Sequence, residues 1–235
     1  MNNKRRIKRL LAKENPLILE IGSSDGTDTL QFLRHFRDVR IYCFEPDPRA
    51  IAEFKRNIRD ERCSLAELAV SDKDGEAVFY LSGGGHPNRE HSEWIYSSSI
   101  KKPCNHLEKY PWCTFNKKIT VKTVKLDTWV ERNDIPEIDF IWADIQGAER
   151  ELIAGGIKTL NEKTRYFFTE YSDEQLYENQ PTLAEILTLL PNFQLAGVYG
   201  EDVLLRNKKF PEKTVHSRRF ETLIEFGRSV VDLLQ

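Results

Sequence analysis

The stretch from Leu17 to Asp28, LILEIGSSDGTD, constrains most strongly what this chain can fold into. Its first five residues are apolar except Glu20, as expected for a central parallel strand buried on both faces. Gly22 ends the strand, a polar turn runs through Gly26, and apolar residues at helical spacing follow Thr27. Glycine permits positive φ and close backbone approach, and a helix N-terminus presents free N–H groups. The stretch therefore predicts a strand–turn–helix unit that cradles a nucleotide.

The residues around the turn narrow the type of nucleotide. The chain has no Gly-Lys-Ser/Thr, as a P-loop requires, and its glycines stand four apart rather than in the G-x-G-x-x-G spacing of dinucleotide sites. Glu20 and Asp25 beside the turn favour a ligand with a positive sulfonium or ammonium group and disfavour a pyrophosphate. The alternative is a glycine turn that only closes a βα unit.

Strands and helices alternate along the rest of the chain. A second buried strand is predicted over 41–44, and Glu45 follows it, where doubly wound sheets place an acid that binds a ribose hydroxyl pair. Later strands are predicted over 63–71, 76–82, 119–127, 138–144 and 165–171, with an antiparallel pair over 193–199 and 203–206. The pattern predicts an α/β doubly wound, mostly parallel sheet with a terminal antiparallel hairpin, in one domain over residues 1–235.

Other segments have distinct expected roles. Residues 1–15 form a basic N-terminal arm, interpreted as a cap over the first strand or a phosphate- or membrane-surface contact. Residues 83–118 lose all periodicity, which predicts a substrate lid. A helix after Ala148 is predicted to end at Gly155-Gly156. Residues 216–235 predict a C-terminal helix that packs on the sheet or forms a homodimer.

Composition excludes several classes of protein. Lys and Arg total 35 against 37 Asp and Glu, a formal charge of −2, so bulk charge does not indicate a nucleic-acid partner. No apolar run is long enough to span a membrane, and the N-terminus lacks a signal-peptide core. The four cysteines show no C-x-x-C spacing, which favours reduced thiols. A cytoplasmic protein is expected.

Six motifs between Pro16 and Gly156 resemble those of the FkbM family of class I S-adenosylmethionine (SAM)-dependent methyltransferases. In chain order they are LEIGSSDG (19–26), FEPDP (44–48), AVSDKDG (69–75), SSSI (97–100), VKLDT (124–128) and IDFIWADIQGAE (138–149). The resemblance implies a Rossmann-like seven-stranded sheet, SAM as cofactor, and methylation of a hydroxyl on a sugar, glycan or other small natural-product acceptor. One departure is Trp142, because the family often has a lysine there.

The resemblance also implies a set of site residues. The cofactor would be bound by Glu20, Gly22, Ser24, Asp25, Gly26, Glu45, Ser71, Asp72, Asp144 and Gln146. Within this set Glu45 would bind the ribose, Ser71 and Asp72 would lie near the adenine, and Asp144 and Gln146 would form the floor where methionine and acceptor meet.

Methyl transfer to a hydroxyl requires an oriented acceptor and a group that takes up its proton. Asp144 and Glu170, both at strand ends, are the candidate catalytic acids, and His86 in the lid is a further candidate base. Ser98 and Ser99 are candidate acceptor contacts. Glu149 either assists or only balances the positive end of its helix. Lid aromatics such as Trp94 and Trp112 suit a sugar ring or a planar acceptor, or anchor the loop.

Several alternatives remain open at this point. His86, His91, Cys104, His106 and Cys113 match no zinc spacing, so no metal site is assigned, although a divalent ion on Asp144 and Glu170 is an alternative. The chain could instead methylate nucleic acid through its basic arm, but it lacks an Asn/Asp-Pro-Pro-Tyr/Phe motif. A third hypothesis is a non-catalytic binding module.

Overall fold

A computed structural model describes residues 4–88 and 93–211. Its helices are α1 (Lys4–Leu11), α2 (Thr27–His35), α3 (Pro48–Asn57), α4 (His106–Lys109), α5 (Leu126–Arg132), α6 (Glu149–Lys163) and α7 (Leu183–Leu189). Its strands are β1 (Leu17–Ile21), β2 (Arg40–Phe44), β3 (Cys63–Ala66), β4 (Ala69–Ser71), β5 (Gly75–Gly84), β6 (Cys113–Lys125), β7 (Ile138–Ala143), β8 (Thr164–Glu170), β9 (Phe193–Tyr199) and β10 (Asp202–Asn207).

The main sheet has seven strands in the order β3-β2-β1-β7-β8-β10-β9. β10 runs antiparallel to both of its neighbours, and the other pairs are parallel. The predicted fold class is therefore confirmed. The strand order reverses between β1 and β7, and such a switch point opens a crevice at the carboxyl ends of the strands. Glu20, Glu45 and Asp144 lie at this edge.

Apolar side chains cover both faces of the main sheet. On one face, α5, α6 and α7 pack against Leu19, Ile141 and Phe167. On the other, α1 and α2 pack against Ile18 and Phe140. The N-terminal arm thus contributes Ile7 and Leu11 of α1 to the core, in agreement with a cap over the first strand.

A second sheet, in the order β4-β6-β5, lies outside the predicted arrangement. The region 63–71 is two strands rather than one: β3 pairs with β2 in the main sheet and β4 pairs with β6. Residues 83–118 are also more regular than expected, because they contain the end of β5, all of α4 and the start of β6. Sequence periodicity missed the start of β6 because that part alternates only weakly. That 83–118 acts as a substrate lid stays a prediction.

The prediction that the helix after Ala148 ends at Gly155-Gly156 was wrong. α6 continues through both glycines to Lys163. A Cβ on Gly155 would lie 1.9 Å from the carbonyl oxygen of Ser71, and one on Gly156 would lie 2.9 Å from Cδ2 of Leu126. The glycines therefore allow β4 and α5 to pack directly on α6, and close packing outweighs their low helix propensity.

Two groups of predictions concern the location of the protein and its C-terminal residues. Of the residues that the structure describes, no helix is both long and apolar enough to cross a membrane. A cytoplasmic location stays a prediction. The C-terminal helix over 216–235 and its homodimer alternative lie outside the described residues, as does His91.

Candidate active site

The turn after β1 brings three strand ends together. The N–H groups of Gly22 and Ser23 both donate to the carbonyl of Phe44, at 2.9 and 3.1 Å. Gly22 has φ +84°, and a Cβ there would lie 1.9 Å from the carbonyl oxygen of Asp144. Only glycine permits this approach, so β1, β2 and β7 end side by side at the crevice.

An apolar cavity opens beside this turn. Its apolar lining comes from β2, β4, β5 and the lid: Phe44, Leu68, Ala69, Val70, Phe79, Ile95 and Ile100. Polar groups converge at one end, from Gly22, Ser24, Glu45, Asp144 and Gln146. A cavity with an apolar slot and a few convergent polar groups is typical of a small-molecule site.

Glu45 is held rigidly in this cavity. Its Oε1 accepts from the N–H of Asp47 and its Oε2 from the N–H of Ser24, both at 2.8 Å. Only 6% of the residue is exposed, and burial raises the pKa of its carboxyl to about 7. The carboxylate is thus fixed between the glycine turn and the start of α3.

A second cavity on the other side of the turn is acidic. It is lined by Glu20, Asp25, Asp28, Trp142 and Asp144, together with Tyr96 from the lid. The hydroxyl of Thr29 donates to Glu20 at 2.7 Å, and burial raises the pKa of Glu20 to about 8. Tyr96 Oη donates to Asp25 at 3.0 Å and so connects the lid to the glycine turn.

Sequence reasoning missed Lys4. Its Nζ forms a 2.9 Å ion pair with Asp28 and lies 3.0 Å from the centre of the Trp142 ring, with 1% of the residue exposed. A lysine ammonium therefore contacts the residue at position 142, although it comes from α1. No spacing along the chain could have indicated a contact between residues so far apart.

A third cavity lies between the lid and the carboxyl ends of β7 and β8. The lid side carries the rings of His86, Trp94, Tyr96, His106, Tyr110 and Trp112. The sheet side is mostly polar, with Asp144, Gln146, Glu170, Ser172, Gln180 and Glu201 among its lining residues. Asp144 and Tyr96 each line all three cavities, so the cavities meet between these two residues.

A hydrogen-bond network organises the meeting point. Gln146 Nε2 donates to Asp144 at 2.7 Å and to Glu170 at 3.3 Å, and its Oε1 lies 3.2 Å from the Tyr177 hydroxyl oxygen. Desolvation raises the pKa of Asp144 to about 6 and, with the nearby Asp144 charge, raises that of Glu170 well above its ordinary value. With a pKa of about 6, Asp144 is mainly ionised at neutral pH, whereas burial and the neighbouring Asp144 charge favour the neutral form of Glu170.

Comparison with known proteins identifies the family. The methyltransferase FkbM domain model matches residues 20–198. The 2-O-methyltransferase NoeI of Sinorhizobium fredii is 46% identical over 211 residues, which cover 87% of this chain and 85% of the relative. The chain belongs to the FkbM methyltransferase family. It is a SAM-dependent methyltransferase.

Solved structures resemble this FkbM methyltransferase more distantly. Aeropyrum pernix fibrillarin with natively bound SAM is 15% identical, with a TM-score of 0.44, covering 86% of this chain and 73% of that one. An rRNA methylase from Streptococcus thermophilus is 11% identical, with a TM-score of 0.45, covering 88% and 98%. At these values the similarity carries no information about the acceptor.

The chemistry of the first two cavities fits SAM. The apolar slot suits an adenine ring, and the fixed carboxylate of Glu45 suits a pair of ribose hydroxyls. The acids of the second cavity suit the positive charges of the methionine part. Ser71 and Asp72, expected near the adenine, do not line either cavity: Ser71 Oγ donates to Asp72 at 3.1 Å, and Leu68, Ala69 and Val70 line the slot instead. Gly26 caps α2 and also lies outside the cavity linings.

The predicted acceptor contacts Ser98 and Ser99 have other partners in this FkbM methyltransferase. Ser98 Oγ donates to Asp47 at 3.0 Å and accepts from the N–H of Ser82 at 3.0 Å. Ser99 Oγ donates to the carbonyl of Gln146 at 2.7 Å. The structure brings neither side chain to the third cavity. Both hydroxyls instead connect the lid to the loops that follow β2 and β7.

His86 does line the third cavity. It stacks on Trp94, with ring centres 4.9 Å apart, and its Nδ1 accepts from the N–H of Asn88 at 3.1 Å. A neutral imidazole that accepts at Nδ1 carries its proton on Nε2, where it can donate a hydrogen bond to a ligand. That His86 acts as a base stays a prediction. Among the described residues, no group of three His, Cys, Asp or Glu side chains could hold a metal ion.

Glu149 is buried beneath the loop after β7 rather than in a cavity. None of the residue is exposed, its Oε1 accepts from the N–H of Gly147 at 3.3 Å, and burial raises the pKa of its carboxyl to about 8. A raised pKa in the folded state means that this group's contribution to stability is present at low pH and lost as pH rises through about 8.

We expect Glu149→Gln to change stability rather than acceptor binding. Between pH 5 and 8 the melting temperature of the variant should fall less than that of the wild type, because the unfolded wild type loses the Glu149 proton from about pH 4.5 upward while a buried amide does not ionise. Thermal unfolding across this pH range measures the effect. The KM for the acceptor should stay within about threefold of the wild-type value, because Glu149 makes no contact with the acceptor in this interpretation. Loss of a hydrogen bond to the substrate would instead cost about 0.5–1.5 kcal/mol or more of binding free energy. A tenfold rise in KM with an unchanged melting profile would instead make Glu149 an acceptor contact.

Proposed function

We propose that this enzyme methylates a hydroxyl oxygen of a sugar-type acceptor, with Asp144 as the general base. The observation that carries the proposal is the convergence at Asp144 of an apolar slot, an acidic cavity and a cavity with aromatic and polar sides. The name of the relative from Sinorhizobium fredii, a 2-O-methyltransferase, supports oxygen as the acceptor atom.

The residues of the third cavity would perform distinct tasks. SAM, when bound, supplies an electrophilic sulfonium methyl group. The acceptor oxygen would receive that methyl group, SAH would leave, and the Asp144 carboxylate would take up the hydroxyl proton. Glu170, whose surroundings favour the neutral form of its carboxyl, would donate a hydrogen bond to the acceptor. Gln146 bridges the two acids and holds them at a fixed separation, which is the positioning that in-line transfer requires.

Two observations favour a small acceptor over nucleic acid. Asp144 and Glu201 line the third cavity, and such carboxylates disfavour phosphates. Three lysines of the basic arm are engaged in internal ion pairs: Lys4 with Asp28, Lys8 with Glu14 and Lys13 with Asp139. These ion pairs support a role for the basic arm in stabilising the fold.

Calorimetric titration of S-adenosylhomocysteine (SAH) tests the assignment of Glu45. Wild type should bind with a Kd near 1 μM, about −8 kcal/mol, and should bind the 2′-deoxyribose analogue of SAH at least about tenfold more weakly, because a hydrogen bond to a charged group contributes about 1.5–3 kcal/mol. Glu45→Ala should lose this discrimination between the two ligands.

Measuring both ligands with both proteins separates loss of the ribose contact from a general change in the glycine turn. Because Glu45 also accepts from Ser24 and Asp47, Glu45→Ala could weaken both ligands equally through the backbone. Retained discrimination in the variant would refute the ribose contact. Failure of the folded wild type to bind SAH would refute the proposed function as a whole and favour a non-catalytic module.

A further inference from the structure

The aromatic side of the third cavity forms one connected cluster of rings. Trp112 packs edge-to-face against His86 at 4.6 Å, Trp94 at 4.9 Å and Tyr110 at 5.9 Å between ring centres. Trp94 in turn packs edge-to-face against Tyr96 at 5.0 Å. All five rings line the cavity. We define these residues as the aromatic platform.

Hydrogen bonds and stacking fix the platform in place. Trp94 Nε1 donates to Ser97 Oγ at 2.8 Å, and the Tyr96 hydroxyl donates to Asp25 at 3.0 Å. Ser97 is itself tied to the sheet side, because its carbonyl accepts from the Tyr177 hydroxyl at 2.7 Å. The polar atoms of Trp94 and Tyr96 thus have partners within the protein, and what these two rings add to the cavity is rigid apolar surface. Preorganised surface of this kind lowers the entropic cost of binding.

The two sides of the cavity differ in chemistry. The platform comes from the lid. The sheet edge and the loops beyond it contribute the polar groups of Gln146, Glu170 and Glu201, together with Tyr171, Leu176 and Tyr177. A planar aromatic acceptor binds best between two apolar surfaces. A pyranose ring has an apolar C–H face and a rim of hydroxyls, and so matches a cavity with rings on one side and carboxylates and an amide on the other.

We infer that Trp112, with Trp94 and His86, forms the stacking subsite for the acceptor, and that this subsite selects a sugar ring over a planar acceptor. The inference rests on the proposed function, since it takes the third cavity as the acceptor site. The sugar would place its C–H face on the platform and its hydroxyls toward Asp144 and Glu170. The platform residues act in acceptor recognition, and their loss should leave cofactor binding intact.

Saturation-transfer NMR on the full chain saturated with SAH tests the inference, with methyl glycosides of the neutral hexoses as sugar probes and catechol as the planar probe. At least one glycoside should bind, with saturation strongest at its ring C–H protons, and catechol should bind more weakly. Trp112→Ala should weaken glycoside binding at least tenfold, and Trp112→Phe, which keeps a ring, no more than threefold. His86→Ala provides a second variant at the same subsite in case Trp112→Ala does not fold.

Trp129→Phe is the matched control. Trp129 packs against Tyr42 and Phe44, away from the third cavity, so this variant should bind glycosides as wild type does. The inference is overturned if no glycoside binds, if catechol binds more tightly than every glycoside, or if folded Trp112→Ala or His86→Ala keeps wild-type glycoside affinity. SAH affinity, measured separately by calorimetry, identifies the cause. A wild type that binds SAH but no glycoside refutes the subsite, whereas a wild type that does not bind SAH refutes the proposed function.

Discussion

Asp144→Asn should lower kcat for methyl transfer by about 10²–10⁴-fold, the contribution that a positioned general base typically makes. The substitution preserves the shape of the side chain and removes its ability to take up the acceptor proton. SAH affinity, measured by calorimetry, should weaken less than tenfold, because the adenine slot and Glu45 are unchanged. Loss of SAH binding in parallel with kcat would mean that Asp144 acts in cofactor binding only.

The dependence of kcat/KM on pH, measured for the wild type and Asp144→Asn, tests the role of Asp144 independently. Because the pKa of Asp144 is about 6, wild-type kcat/KM should rise with pH through about 6 and then level off, since the base must be ionised. Asp144→Asn should lack this acidic limb. Glu170→Gln is the matched comparison, and should lose less than tenfold in kcat, because a neutral amide can still donate a hydrogen bond. A larger loss in Glu170→Gln than in Asp144→Asn would reverse the two roles.

Gly155→Ala should destabilise the fold by about 3 kcal/mol, at the upper end of what overpacking ordinarily costs. Its Cβ would lie 1.9 Å from the carbonyl oxygen of Ser71, so backbone must move. For a chain of this size, that loss corresponds to a fall in melting temperature of about 6–12 °C. Since Ala69 and Val70 of the same short strand line the adenine slot, SAH affinity should fall as well.

Two further variants of α6 serve as controls for this result. Gly156→Ala should cost less than Gly155→Ala, because its Cβ meets a Leu126 side chain that can shift. Ala154→Gly, at an exposed position of the same helix, should cost only the ordinary difference in helix propensity, about 0.5–1 kcal/mol. Thermal unfolding that shows Gly155→Ala to be more stable than wild type would refute the contact between α6 and β4.

The sequence located the strand-end residues of the candidate site better than the residues that the lid contributes to it. Glu20, Glu45, Asp144 and Glu170 line the cavities at the crevice, as expected because parallel strands all end at the same edge of a sheet. Their roles stay predictions. Ser98 and Ser99 were assigned to the acceptor from their motif alone. The structure gives their hydroxyls partners in Ser82, Asp47 and Gln146, and a local motif contains no information about such distant partners.

The sequence by itself determined the doubly wound sheet, the order of its elements and the cofactor side of the crevice. These follow from local signals, namely apolar strands, a glycine turn and acids at strand ends, which act over a few residues. Only the tertiary structure decided that α6 runs through Gly155, that Lys4 lies against Trp142, and that the lid rings form one platform. Each of these depends on the close approach of segments far apart in the chain. Such contacts arise from packing in three dimensions and leave no periodic trace in the sequence.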